Sequence, residues 1–324
     1  MKMKWITALL VGAMMVASGC TSDPEGINNP GGNSGGGQSQ PLGGYAAPDG
    51  VLILNQGAPR LENGSVTWIS PEGIVEQNVY RTVNGSACGN TSQDLYLCGN
   101  KIYIMSNNNE VPDLGNSEPG DGSIVIVDAE TFRREKAFQF SDLKFHKPEG
   151  SLEVVDSLSL ATPFENMAVI DEHNLFFADG QGMFRLDTET GKLNLVEGGY
   201  HFGNQGNTIE TVVATRGMTV IGDHLYFAAG TLTVSRISLK TWKIEEYIHV
   251  ENDAPQARYL TCNVVADSKK NLLYVSVSND LNEARTSDGN ILVYNCSGDE
   301  PQLVMNIENK ASYPINIYPM SKFY

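Results

Sequence analysis

A polar turn leading into an apolar, aromatic-rich run recurs four times along the chain: Gly99-Asn100-Lys101-Ile102-Tyr103-Ile104, Glu172-His173-Asn174-Leu175-Phe176-Phe177, Gly222-Asp223-His224-Leu225-Tyr226-Phe227 and Lys270-Asn271-Leu272-Leu273-Tyr274-Val275. After each comes a second run, at Gly122–Thr131, Gly182–Gly191, Leu232–Thr241 and Asn290–Asn295, with a fifth copy at Gly64–Gly73. The residues that close the strand in this second run are Ser70, Asp128, Asp187, Ser238 and Asn295, spaced by 58, 59, 51 and 57 residues. Self-similarity at a period of about 56 is the signature of one supersecondary unit repeated, and it constrains the fold more than any local propensity does.

Each unit reads as four strands: an inner one (Asn166 to Ile170, Gly217 to Ile221, Thr261 to Ala266), the turn-led second, the third, and an outer fourth such as Ile244 to Val250. The 33 Gly and 13 Tyr suit this pattern, because Gly supplies tight turns and aromatic and β-branched residues fit a pleated surface. Four-stranded units repeated about an axis predict an all-β chain with a β-propeller fold, which hides sheet edges by radial packing. Five third-strand copies are visible. The first unit opens at its second strand, Val51 to Leu54, and the final stretch, Tyr313-Pro314-Ile315-Asn316-Ile317-Tyr318, matches an inner strand. Either Tyr313 to Tyr324 closes a five-bladed ring or the chain is a truncated propeller of more blades that stops in the second strand of a sixth unit. The expectation favours truncation.

The N-terminus carries Lys2 and Lys4 before an apolar run from Trp5 to Ala17, the layout of an export signal. Thirteen helical residues rise about 20 Å, short of a hydrocarbon core of about 30 Å, so removal is expected rather than retention as a span. Ala17-Ser18-Gly19-Cys20 resembles a lipobox, with Ala17 where Leu is usual, which predicts lipidation of Cys20. Residues 1–19 are thus the signal, 20–48 a flexible tether rich in Gly, Ser, Asn and Pro that cannot bury enough apolar surface to order itself, and 49–324 the propeller domain. Asp23-Pro24-Glu25 resembles the acidic signal with which Bacteroides-type bacteria send lipoproteins to the cell exterior. The expected location is the outer membrane, lipid-anchored and facing outward.

A formal charge of −16 disfavours nucleic-acid partners, which need clustered Lys and Arg. Beyond Cys20 there are Cys88, Cys98, Cys262 and Cys296 in a compartment that permits disulfides. Absence of C-x-x-C argues against zinc or dithiol redox sites. Buried free thiols and a Cys88–Cys98 bridge are the two readings. The five histidines are scattered, Asp113 to Asp121 lacks EF-hand spacing, and no phosphate-loop, dinucleotide or nucleophile-elbow motif occurs, so neither metal nor cofactor is expected.

The stretches Val51-Leu52-Ile53-Leu54-Asn55-Gln56-Gly57, Asn63-Gly64-Ser65-Val66, Val83-Asn84-Gly85, and Gly99 to Ile104 followed by Asn107-Asn108, resemble the surface-lipoprotein branch of the YncE-like bacterial propellers. The resemblance runs from 50 to 324 and implies an extracellular binding module; similar proteins capture cobalamin for a TonB-dependent outer-membrane transporter. It implies seven blades, two more than are visible here. The shared motifs are structural, so no binding residue carries over.

Alternation of strands puts the tight turns at one end of the units and every long loop at the other: Gln56 to Asn63, Asn84 to Ser92, Ser106 to Asp121, Ser141 to Pro163, Tyr200 to Glu210, Glu251 to Arg258 and Ser278 to Asp288. Function tends to live on loops over a rigid scaffold. The candidate ligand contacts are Arg60, Asn107, Asn109, Tyr200, His201, Asn204, Gln205, Arg258, Tyr259 and Arg285, which combine aromatic platforms with amide and guanidinium donors. The expected function is non-enzymatic capture of a small ligand, a corrinoid foremost, with a siderophore or glycan as other choices. The alternatives are a propeller lyase or glycan hydrolase using Glu110, Asp113 or Asp280, and a protein-binding scaffold or adhesin.

Overall fold

The structure, a computed structural model, describes residues 41–57, 64–108, 120–139, 164–171, 173–179, 182–187, 189–196, 218–229, 232–260, 264–279, 288–312 and 314–324. These residues form five antiparallel sheets. The first holds β1 (Val51–Asn55), β2 (Ser65–Ile69) and β3 (Val75–Glu76), followed by a short helix α1 (Val79–Asn84). The second is β4 (Ser92–Cys98), β5 (Lys101–Ser106), β6 (Ile124–Asp128) and β7 (Arg134–Phe138); the third is β8 (Phe164–Val169), β9 (Asn174–Asp179), β10 (Gly182–Asp187) and β11 (Lys192–Leu195). The fourth runs β12 (Met218–Ile221), β13 (His224–Ala229), β14 (Thr233–Ser238) and β15 (Ile244–His249). In the fifth, β16 (Tyr259–Leu260) and β17 (Val265–Asp267) both pair with β18 (Leu272–Ser278), which leads on to β19 (Asp288–Asn295) and β20 (Gln302–Ser312).

The last strand, β21 (Pro314–Pro319), does not start a sixth sheet but returns to the first, giving it the order β21-β1-β2-β3. Val51 opposes Pro319 and Ile53 opposes Ile317. This pairing is what the closing-strand alternative requires. The segment after it differs from the expected second strand: Met320–Phe323 is a 3-10 turn, because β1 already occupies the position beside β21.

The repeat markers have a direct physical role. Each closes the third-to-fourth-strand turn by accepting backbone amides into its side chain: Asp128 Oδ1 from Thr131 (2.9 Å), Asp187 Oδ1 from Thr190 (2.9 Å), Ser238 Oγ from Thr241 (3.3 Å), Ser70 Oγ from Ile74 (3.1 Å) and Asn295 Oδ1 from Ser297 (2.9 Å). Short oxygen-bearing side chains offer the backbone this local partner, which is why only Asp, Ser and Asn stand at these positions. At the second-strand turns, Gly99 and Gly222 take left-handed φ of 58° and 55°, open to glycine without a Cβ penalty.

Burial explains the strand patterns. β5 alternates half-buried and buried residues, the mark of one covered face, whereas every residue of β1 is buried because neighbouring sheets cover both of its faces. Leu52 and Leu54 pack with Leu95, Ile102, Ile104, Val125 and Val127 of the second sheet. On the other side Val51 and Ile53 pack with Tyr274, Ile291 and Val293 of the fifth. The fifth sheet joins the fourth through Val275, Leu292, Tyr226 and Val234, and the fourth joins the third through Phe227, Leu225 and Phe176. The packing therefore runs second–first–fifth–fourth–third, with β21 as the inner strand of the first sheet. Between the fourth and fifth sheets lies the buried Arg236, stacked 3.9 Å over Tyr247, paired with Glu245 at 2.5 Å and donating to the Asp299 carbonyl.

One cysteine expectation is corrected. Cys88 and Cys296 are buried free thiols, and burial pushes each up to about 11. Cys98 is disulfide-bonded, and since Cys88 is free, a Cys88–Cys98 bridge does not exist. Cys98 ends β4 at the tight-turn end, whereas Cys88 precedes that strand at the loop end, so six strand residues hold the two apart.

Candidate functional site

The long connections leave the sheets at one end, and the described residues there converge over the first and second sheets. β5 ends at Ser106 and hands on to Asn107 and Asn108. Asn108 adopts a left-handed φ of 46° and is only 5% exposed. Its Oδ1 accepts the Gly120 amide at 2.8 Å, while its Nδ2 donates to the Gly120 carbonyl (3.2 Å) and to Gln139 Oε1 (3.1 Å). One amide side chain thus staples together the two residues that flank 109–119. Gly120 is fitted to this place: a Cβ there would stand 2.4 Å from the Gly89 backbone nitrogen.

Asp121, next along, is a hub. Its carboxylate accepts from the Tyr80 hydroxyl and the Ser86 hydroxyl, each at 2.6 Å, and meets Arg134 Nη1 at 2.6 Å. Helix α1 brings Tyr80, the segment after it brings Ser86, and the outer strand β7 brings Arg134. Asn84 at the end of the helix accepts the Arg134 amide and donates to the Phe132 carbonyl, holding the helix against β7. Partial burial alone would raise the Asp121 carboxyl, but the hydrogen bonds from Ser86 and Tyr80 and the Arg134 charge outweigh it and hold the group below the ordinary carboxylate value. Burial, then the bond to Asp121, push the Tyr80 phenol upward.

Below this shelf small polar residues line the loop ends of the strands: Ser92 Oγ of β4 lies 3.0 Å from Ser106 Oγ of its neighbour β5, and the Cys88 thiol donates to the Gly64 carbonyl at 3.5 Å. Thr91 holds a left-handed φ of 52°, which is costly for a β-branched residue, while its carbonyl accepts the Asn107 amide at 3.3 Å. Strain of this kind is stored where a segment must be aimed.

Chemically the shelf presents and positions. Asp121 is ionised at neutral pH and fully engaged, so it has no proton to give, and the Cys88 thiol, raised to about 11, is not a nucleophile there. Among the described residues no three of His, Cys, Asp and Glu are grouped to hold a metal ion.

Two of the sequence-predicted contacts are placed with their side chains. Asn107 is exposed at the loop end of the second sheet. Arg258 is exposed before β16, its guanidinium donating to the Ala257 carbonyl at 3.2 Å and its amide to the Ser278 carbonyl at 2.8 Å. They stand on different sheets with the first sheet between them. In β16 the Tyr259 backbone pairs with Ser278 of β18. Arg60, Asn109, Tyr200, His201, Asn204, Gln205 and Arg285 lie outside the described residues, as do Cys20 and the carboxylates Glu110, Asp113 and Asp280. Sequence reasoning named Asn107 and Asn109 and missed Asn108 between them, along with Asp121, Tyr80 and Thr91. The one signal for the clamp was Gly120-Asp121-Gly122, a turn-forming triplet at the far end of the connection.

Residues 49–298 match the profile of the family described as "Domain of unknown function (DUF5074)". No curated protein matches the chain. Among solved structures, the computationally designed Ika4 protein aligns at 13% identity over 51% of this chain and 84% of its own, with a TM-score of 0.35. A chain of the nidogen/laminin complex aligns at 11% identity over 82% and 83%, with a TM-score of 0.33. Scores this low leave the fold to be read from the strand registers themselves.

Proposed function

The chain belongs to the DUF5074 family, and from that premise we propose that it is a β-propeller of the YncE-like kind whose loop end captures a small ligand without turning it over. The five sheets are the blades of this propeller, β21 is the strand that closes it, and residues 49–324 are its domain, against which the preceding residues 42–47 pack. Residues 1–19 are the export signal, lipidated Cys20 anchors the tether at the outer membrane facing outward, and the captured ligand is passed to a TonB-dependent transporter. Ligand choice follows the exposed amide and guanidinium groups, Asn107 and Arg258 among them, which suit a large polar molecule such as a corrinoid, a siderophore or a glycan.

The observation that carries this reading is the asymmetry between the two ends. At one end turns are closed by their own Asp, Ser and Asn side chains, whereas at the other Asn108 and Asp121 use partly buried hydrogen bonds to hold the roots of the long connection 109–119. Pre-ordering of this kind lowers the entropy cost of binding. The test is calorimetry of the exported chain with cobalamin, a catecholate siderophore and a soluble glycan, comparing the parent with Tyr200→Ala and with Glu189→Ala at the tight-turn end. A buried aromatic anchor contributes about 2 kcal/mol or more, so Tyr200→Ala is expected to weaken capture roughly thirtyfold and Glu189→Ala to leave it unchanged. Equal losses from both substitutions would refute the loop-end assignment.

A further inference from the structure

The segment just ahead of the first strand is bound to the domain, and bound at one end of it. Tyr45 stacks edge-on against Trp68 (4.9 Å) and Phe132 (5.3 Å). Its hydroxyl donates to Glu76 at 3.0 Å and its amide to the Glu130 carbonyl at 3.1 Å. The Gly43 amide donates to Glu130 Oε1 at 2.7 Å. Tyr324 supplies the other wall: its hydroxyl accepts the Leu42 amide at 3.3 Å and donates to the Ala46 carbonyl at 2.6 Å, and Ala46 is fully buried. Gly44 passes so close to the Glu130 carbonyl that a Cβ would stand 2.0 Å from its oxygen, at a left-handed φ of 56°.

Every wall of this seat lies at the tight-turn end. Glu130 and Phe132 form the β6–β7 turn, Trp68 stands next to the last residue of β2, and Tyr324 follows the 3-10 turn after β21. The Asn108 clamp and the long connections are at the opposite end of the strands, about 20 Å away for a six-residue strand.

We infer that residues 42–47 are a latch that, together with the start of β1 at the same end of the domain, makes the N-terminal tether leave from the tight-turn end, so that this end faces the bilayer and the loop end faces away from it. From its Gly/Ser/Asn-rich composition the stretch 20–41 is expected to span about 25 Å as a linker, comparable with the radius of a domain this size, so where it attaches biases which end is nearer the membrane. The bilayer part of this inference rests on the lipoprotein reading; the latch does not.

The test separates the two. The chain from residue 20 onward carries an oligohistidine tag at its start and is captured on vesicles containing nickel-chelating lipid and an energy-transfer acceptor lipid, so anchoring needs no native lipidation. A single fluorophore is introduced at position 189, on a tight turn, or at 107, at the loop end. Transfer from 189 is expected to exceed transfer from 107 by about twofold, given the ~20 Å between the ends. Gly44→Val and Tyr45→Ala, which displace or empty the seat, free about eight further residues of tether at the same end of the domain, where β1 begins, and are expected to reduce the difference without abolishing it. Equal transfer in the parent, or a difference that both variants leave intact, would overturn the latch. Flotation and acyl-chain mass of the protein made in its own cell envelope report separately on lipidation of Cys20; an unlipidated product would refute the lipoprotein reading while leaving the latch result standing.

Discussion

The Tyr318 hydroxyl donates to Asp94 Oδ1 at 2.7 Å and accepts the Leu95 amide at 3.1 Å, joining β21 to β4 across 224 residues of sequence. Both strands are innermost in their sheets, so this phenol ties the last strand of the chain not only to β1, its ladder partner, but also to the sheet beyond. Burial and then the Asp94 charge push the phenol well above its ordinary value, so the hydroxyl remains a donor throughout the physiological range.

Removing that hydroxyl in Tyr318→Phe leaves the ring's packing and deletes two hydrogen bonds, one of them to a carboxylate. The expected loss is about 1–3 kcal/mol, read as a lower urea midpoint with unchanged slope. An unchanged midpoint would mean that the β1 ladder alone holds the last strand.

The Asp121 hub predicts a pH signature. Its folded carboxyl sits below the unfolded value of about 3.9, so the unfolded state binds its proton first as pH falls. The stabilisation is complete above that value and drains away as pH drops through the folded one. Asp121→Asn is therefore expected to cost about 1–3 kcal/mol at pH 7, with the gap to the parent constant from pH 7 to 5 and closing below pH 4. A gap that stays constant to pH 3 would assign the effect to shape rather than charge.

The cysteines predict a labelling order. Cys88 and Cys296 are buried with thiols raised to about 11, so alkylation of the folded protein at pH 8 should leave both unmodified, and unfolding without reductant should expose both. Cys98 should react only after reduction. Mass spectrometry of peptides from the three conditions checks this, and rapid labelling of Cys88 in the folded state would contradict its burial.

Thr91 stands in the left-handed region beside the Asn107 root. Relieving a non-glycine residue of that conformation is worth about 1–2 kcal/mol, less up to about 1 kcal/mol for the added freedom of an unfolded glycine. Thr91→Gly is thus expected to raise the melting temperature by a few degrees. A lower melting temperature would show that the Thr91 side chain makes contacts worth more than the strain.

How much of this was legible beforehand depended on whether the cause was local. The repeat was readable because each turn closes itself: Asp128, Asp187 and Ser238 bond amides within three residues, so selection for the turn leaves a mark at a fixed place in every unit. The alternation in β5 was readable for the same reason, since one covered face imposes a period of two. The role of Asn108 was not, because nothing in Asn107-Asn108-Asn109 distinguishes the middle residue until Gly120 and Gln139 are brought to it.

The sequence by itself determined the all-β class, the four-strand unit and which ends of the strands carry short turns, all properties of neighbours along the chain. Only the tertiary structure decided that Pro314–Pro319 pairs with Val51–Asn55, that Cys98 rather than Cys88 is disulfide-bonded, and that Tyr45 sits against Trp68 and Phe132 while Tyr324 holds Leu42 and Ala46 beside it. Those are contacts between residues tens to hundreds of positions apart. Their free energy depends on which surfaces the packed sheets leave open to each other, and a composition or a period carries no record of that.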